Sequence, residues 1–470
     1  MSATLSKAET FAALPQPWPH DLMPAIRAHL AAHRTKVVVL DDDPTGTQTV
    51  HDIAVLTEWS EASLLAELQA PGPGFYILTN SRAFPTAEAC RINREIGERL
   101  SAAAKKCGCE FRVISRSDST LRGHFPDEVD AFGAAISGDE TKPPVLLCPY
   151  FEAGGRYTIG DVHYVAEGDR LVPSGETPFA RDASFGYRAS NLREWIVEKS
   201  LGRIALNQIT SLTLADNRER GSEAIAPQLM LAYGAACVAN VACQRDLEVV
   251  VFAALMAEAR GARTIYRTGA SFVATRMGLE PRPLLEGRDM VRATNTGGLV
   301  IVGSYVPKTT EQLGHLLDKS DIARVELAVD SVQDAASASA AIRTATEQVD
   351  ALLSAGKDVV LYTSRNLVTG ADADASLRIG QRVSSALVEI TSGLTTPPRF
   401  FIAKGGITSS DLATRALGVR RAMVRGQILP GIPVWQLGDE ARFPGLNYVV
   451  FPGNVGGPEA LLEAYRKLAS

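Results

Sequence analysis

The chain has 470 residues, 46% of them hydrophobic, and a formal net charge of −5 at pH 7; that is room for two or three domains with sizeable cores and excludes a disordered chain. The charge is spread evenly with no basic block, so nucleic acid is not an expected partner. No apolar run reaches bilayer length, and residues 1–35 lack a basic start followed by an apolar core, so no membrane association is expected and the cytoplasm is the expected compartment. Six scattered cysteines without paired CxxC spacing are expected reduced, with Cys107-Gly108-Cys109 the exception.

Residues 1–35, with Pro15, Pro17, Pro19 and Pro24 and a helical pattern near Ala25 to Ala32, read as an N-terminal extension packed on the body. From Lys36 apolar strands alternate with helical stretches: Val37 to Leu40, Phe75 to Leu78, Phe111 to Ile114, Val145 to Cys148, Arg203 to Leu206 and Ala236 to Val241. A second series runs Leu299 to Val302, Val325 to Val329, Val359 to Tyr362, Phe400 to Ala403, Ala422 to Val424 and Tyr448 to Phe451. This alternation predicts an α/β protein of two Rossmann-like domains with largely parallel sheets and an active-site cleft between them. The polar stretch Glu286 to Gly297 separates the series, so residues 36–285 and 298–470 are the expected domains.

The first strand runs straight into Asp41-Asp42-Asp43-Pro44-Thr45-Gly46. Turn chemistry explains one or two of these acids but not three after a buried strand; adjacent like charges need Mg²⁺, Arg, Lys or a shared proton. In an open α/β sheet that strand end opens on the ligand crevice. The next strand ends lead into Thr79, Asn80, Ser81 and Arg82, and into Ser115 to His124, which contains Asp118, Ser119 and Arg122. Guanidinium groups hold carboxylates through paired donors, and hydroxyls and acids bind hydroxyl groups, so the set suits a small, polyhydroxylated anion. The plainer reading is a helix-capping loop with surface ion pairs, and Pro126-Asp127-Glu128 does read as a helix first turn. Arg156, after Gly154-Gly155, is a second anion contact, whereas His163 reads as a packed residue and Thr177 to Asp182 as a closing loop or a turn.

In the second series, Phe400 to Ala403 runs into Lys404-Gly405-Gly406-Ile407-Thr408-Ser409, and Tyr448 to Phe451 into Pro452-Gly453-Asn454-Val455-Gly456; Gly303-Ser304 follows a third strand. Strand, glycine-rich turn and helix start make a phosphate cradle, and its recurrence favours a nucleotide site. Neither a P-loop nor the dinucleotide G-x-G-x-x-G is present, which disfavours the usual NTPase and dehydrogenase readings.

Asp42-Asp43-Pro44-Thr45-Gly46, Ser81-Arg82, Asp118 to Gly123, Val302-Gly303-Ser304, Gly405 to Ser409 and Pro452 to Gly456 together resemble the four-carbon acid sugar kinases. The resemblance runs from Lys36 to the end. It implies a sugar-acid-binding N-terminal domain, a nucleotide-binding C-terminal domain, and ATP-dependent phosphorylation of the terminal hydroxyl of a threonate-, erythronate- or 3-oxo-tetronate-like acid with Mg²⁺. It places Asp42, Asp43, Ser81, Arg82, Asp118 and Arg122 at the sugar acid and Ser304, Gly405, Gly406, Ile407, Thr408 and Gly453 at ATP. Asp42 or Asp43 is the expected catalytic base, Arg82 and Arg122 are the expected clamps for the substrate carboxylate, and by their place in the loops Ser119 and Arg156 join the substrate site and Asn454 the nucleotide site. Metal ligands are unassigned, and homodimerisation is left open. The chain departs from the pattern at Ile407, where many members carry an acid, and at Phe451, where many carry Lys; Lys404 is a candidate replacement for that cation. The competing readings are a non-catalytic sensor of a sugar acid and a nucleotide, an adenylating ligase, and a kinase of a longer or branched sugar acid.

Overall fold

The apolar run Val37 to Leu40 forms the strand Lys36–Asp41, fully buried from Val37 onward. In the computed structural model, which describes residues 3–138, 142–232, 234–304, 306–365, 373–453 and 455–469, this strand lies between Gly74–Leu78 and Phe111–Arg116, parallel to both. The chain divides into two compact units, Met1–Gly46 with Glu58–Pro281, and Thr47–Thr57 with Arg282–Ser470.

The first unit carries seven parallel strands in the order Ile209–Leu212, Ala236–Ala239, Val145–Cys148, Ile265–Thr268, Phe111–Arg116, Lys36–Asp41 and Gly74–Leu78. Helix Thr86–Cys107 packs beside Asp127–Ser137 and ends at Gly108, whose φ of 65° is the left-handed cap glycine accepts without strain. The strand expected at Arg203 to Leu206 is a turn and a 3-10 segment, with Leu206 exposed; Ile209 and Leu212, both buried, take the sheet position beside Ala236–Ala239. A small antiparallel sheet, Leu5–Ser6, Arg170–Pro173, Val162–Glu167 and Arg156–Ile159, stands apart from the main one. It ties down the N-terminal extension, whose helix Met23–Ala32 buries Ile26. Cys107 and Cys109 are joined as a disulfide; the other cysteines are free.

The second unit has five parallel strands, Asn447–Phe451, Phe401–Lys404, Leu299–Val302, Val359–Thr363 and Ala323–Leu327. Three antiparallel strands, Ile53–Leu56, Arg421–Leu429 and Ile432–Leu437, extend it. Residues 47–57 therefore leave the span expected for the first domain, because Ile53–Leu56 completes the edge of Arg421–Leu429. Met290, from the polar stretch expected to separate the domains, is buried in the core of this unit. Among the described residues no helix is long and apolar enough to cross a membrane.

Candidate active site

Register builds the first half of the site. Asp41, the last residue of its strand, stands beside Arg116, the last of the next, and Arg116 beside Thr268. The Arg116 Nη1 accordingly donates to Asp41 Oδ1 at 3.0 Å and lies 3.4 Å from Asp42 Oδ1. Arg82 follows the neighbouring strand and places Nε 3.3 Å from Asp42 Oδ1 and Nη2 2.8 Å from Asp43 Oδ2. The three acids that sequence puts in a row thus share two guanidinium groups. Gly46 closes over them: a Cβ there would lie 2.1 Å from Asp41 Oδ2, so only glycine lets the backbone come so near.

Their environments differ. The side chains of Asp41 and Asp42 are 2% and 3% exposed, that of Asp43 24%. Burial pushes Asp41 up to about 7 against the pull of Arg116, with Asp42 and Asp43 adding repulsion. Burial also raises Asp42 despite Arg82, Arg116 and Arg267. For Asp43 burial is outweighed by Arg82, Arg116 and the Thr45 hydrogen bonds, and its carboxyl sits below the ordinary range. Asp41 Oδ2 and Asp42 Oδ2 are buried without a hydrogen-bond partner.

The loop after Phe111–Arg116 turns back at Leu121, at φ 71°, and brings Asp118 to Arg122, whose Nε donates to Asp118 Oδ2 at 2.7 Å. Burial raises the Asp118 carboxyl, but Arg122, Arg82 and the Thr120 hydroxyl together hold it well below the carboxylate range. Ser119 gives its carbonyl to His163 Nε2 at 2.8 Å; His163 is buried and also meets Thr158, and burial pushes its imidazole down to about 4. Arg156 lies at the start of its strand with its guanidinium carbon 5.6 Å from the Phe179 ring centre.

Ser81 is fully buried, and its hydroxyl donates to Glu128 Oε2 at 2.7 Å. Glu128 Oε1 accepts from Arg267 Nη1 at 2.6 Å, and the same nitrogen donates to Ser115 Oγ at 2.7 Å. This buried relay was not legible in the sequence, where Glu128 reads as a helix first-turn acid; a cation, Arg267, next to the end of the apolar strand Ile265–Thr268 was its signal. Gly123 rests against it, a Cβ there lying 2.9 Å from Arg267 Nη2 and 3.3 Å from Asp42 Oδ2.

In the second unit the turns after three parallel strands converge. A Cβ on Gly303 would lie 2.5 Å from Thr408 Oγ1, one on Gly405 3.0 Å from the Ser304 Cβ, and one on Gly453 3.7 Å from Ser304 Oγ. Ser304, Gly405, Thr408 and Gly453 are therefore neighbours, with Gly406 opening the helix Gly406–Asp411 and Ile407 65% exposed on it. Asn454 lies outside the described residues. Lys404 is paired in register with Phe451 on the next strand. Its buried Nζ donates to the carbonyls of Pro452 at 2.6 Å and Gly453 at 3.2 Å and lies 4.2 Å from the Phe451 ring centre. Burial, helped by Lys308, pushes this ammonium down to about 7.

A sugar-binding N-terminal domain model matches residues 37–276, and a nucleotide-binding C-terminal domain model matches residues 299–461. The first alone covers more than half of the chain. The chain belongs to the four-carbon acid sugar kinase family. Relatives of this family member include a 3-oxo-tetronate kinase of Cupriavidus necator, 26% identical over 93% of this chain and 98% of its own length. A D-threonate kinase of Bordetella bronchiseptica is 38% identical over 23% of each chain. Among solved structures, a Haemophilus influenzae protein superposes with a TM-score of 0.63 at 16% identity, covering 92% of this chain and 100% of its own. A Salmonella typhimurium protein described as a putative tRNA synthase reaches 0.65 at 17% identity, covering 92% and 99%. At these identities the two structures attest the shared fold alone.

Proposed function

We propose that this family member is an ATP-dependent kinase that phosphorylates the terminal hydroxyl of a four-carbon sugar acid of the 3-oxo-tetronate, threonate or erythronate type. The observation that carries the reading is the strand-end run Asp41 to Asp43 clamped by Arg82 and Arg116, with Asp118 and Arg122 in the same unit. A pure anion binder has no use for so many acids, whereas phosphoryl transfer uses a carboxylate to orient and deprotonate the attacking hydroxyl. Asp43 is ionised and the most exposed of the three, which suits it to accept that proton. Asp42 holds Arg82 and Arg116 in place. Ser81 acts through Glu128 as a positioning residue, and Asp118, Ser119, Arg122 and Arg156 receive the acid.

The glycine turns of the second unit fit a polyphosphate. At Gly453 a Cβ has its nearest atoms at 3.7 and 3.9 Å, leaving its backbone open to a close approach. Ser304, Gly405, Gly406, Ile407, Thr408 and Gly453 would hold ATP there, whose γ-phosphoryl group is the one transferred. Among the described residues no three His, Cys, Asp or Glu side chains are grouped to hold a metal ion. Mg²⁺ would then rest mainly on phosphate oxygens and water with one or two carboxylates, its usual mode beside a nucleotide. The test is ADP formation from Mg-ATP with individual four-carbon acids. Turnover on a five- or six-carbon or branched acid instead would keep the kinase and move the substrate; ATP binding without turnover on any acid would point to a sensor.

A further inference from the structure

The first unit gathers five guanidinium groups around its acids, and four are neutralised. Arg82 pairs with Asp43 at 2.8 Å, Arg116 with Asp41 at 3.0 Å, Arg122 with Asp118 at 2.7 Å and Arg267 with Glu128 at 2.6 Å. Arg156 differs. Among the described residues no carboxylate stands within ion-pair distance of it; its Nη1 donates to its own loop at the Gly154 carbonyl, and its Nε is buried without a partner. A partly buried cation lacking a counterion is costly to keep.

The cation is nevertheless held in place. Phe179 presents one ring to both Arg156 and Arg122, their guanidinium carbons 5.6 and 5.2 Å from its centre. The segment carrying Phe179 is pinned at both ends. Thr177 Oγ1 donates to the Ser174 carbonyl at 2.7 Å, and Asp182 lies 3.7 Å from Arg122 Nη1. Tyr187 ties the same region to the Asp118 loop by donating to the Thr120 carbonyl at 2.7 Å. Two like charges on one ring, only one of them neutralised, make a seat for an added anion.

We infer that Arg156, braced by Phe179, receives the carboxylate of the sugar acid, while Arg122, already neutralised by Asp118, meets the acid elsewhere along its chain. This rests on the kinase reading above and goes beyond it by assigning charge recognition to one side chain. It makes the free carboxylate, and not merely a four-carbon polyol chain, the feature the enzyme selects. Burial holding the Arg156 guanidinium below its usual range agrees with a site completed by an anion.

The test compares each accepted four-carbon acid with its neutral amide as phosphoryl acceptor, in the full-length protein with Mg-ATP. Wild type should prefer the acid, and Arg156→Gln should lower kcat/KM for the acid about 100-fold, chiefly through KM, and leave the amide nearly unchanged. The KM for ATP should not move. Phe179→Leu should raise the KM for the acid about fivefold with kcat preserved, and Phe179→Tyr should restore it. Arg156→Lys keeps the charge and should retain most of the preference, which guards against a glutamine variant that fails to fold. An acid-to-amide preference that survives in folded Arg156→Gln overturns the inference and leaves the kinase standing. Wild type inert on every four-carbon acid overturns both.

Discussion

Asp41 is the acid whose charge the fold tolerates least, and Asp41→Asn isolates that burden. The carboxyl is almost wholly buried, accepts one bond from Arg116 at 3.0 Å, and leaves Oδ2 without a partner beneath Gly46. Its pKa rises from the ordinary 3.8 to about 7 in the folded protein. Between those values the folded state binds the proton that the unfolded state has released. Its stabilising contribution is therefore fully present below pH 3.8 and is lost as pH climbs to about 7. At roughly 1.4 kcal/mol per pH unit, that span sets a ceiling of about 4 kcal/mol. Asparagine keeps the shape and the acceptor for Arg116 but never ionises. The stability of Asp41→Asn relative to wild type should rise steadily from pH 4 to 7 and level off above, with the variant gaining up to that amount. Urea unfolding of both proteins at half-unit pH steps, followed by a probe in the first unit, measures the difference directly. Parallel stability curves across this range would refute the burial argument for Asp41.

Three further outcomes follow from the same geometry. Asp43→Asn should fold normally, since Arg82 keeps Asp42 as a partner, and should lose about 10²- to 10⁴-fold in kcat as expected for a missing base; near-normal turnover would remove Asp43 from the mechanism. Gly46→Ala drives a methyl group to within 2.1 Å of Asp41 Oδ2 and should destabilise the protein by about 1–3 kcal/mol in urea melts, so an unchanged midpoint would contradict the close packing. Lys404→Met strips the hydrogen bonds from the Pro452 and Gly453 carbonyls and should weaken ATP binding, read by calorimetry, about tenfold while sugar-acid affinity stays put; equal loss for both ligands would show general unfolding instead.

Much of this site was legible because its signals are local. Four apolar residues before three acids announce a buried strand that ends on charge, and Lys36–Asp41 is that strand. The glycine turns after Val302, Lys404 and Phe451 are equally local, and parallel pairing of their strands brings Ser304, Gly405, Thr408 and Gly453 together. What sequence did not disclose depends on pairing between distant segments. The pairing of Arg116 with Asp41 follows only from the strand register that sets the two side by side. Arg267 reaches Glu128 only because Ile265–Thr268 inserts between Phe111–Arg116 and Val145–Cys148. Ile53–Leu56, too short for its periodicity to stand out, is fixed by an antiparallel partner more than 350 residues away. Arg203 to Leu206 has strand composition, but Ile209 and Leu212 win the sheet by burying both apolar faces. The direction of each acid's pKa also lies beyond sequence, since adjacent aspartates in one run are pushed opposite ways by burial and by Arg82.

The central claim is phosphoryl transfer to a four-carbon sugar acid. It is tested most directly by ADP release from purified protein with Mg-ATP against D- and L-threonate, D- and L-erythronate and their 3-oxo forms, each run beside Asp43→Asn. Turnover is expected on at least one of these acids, lowered at least about 100-fold in the variant. No ADP release on any of them would contradict it.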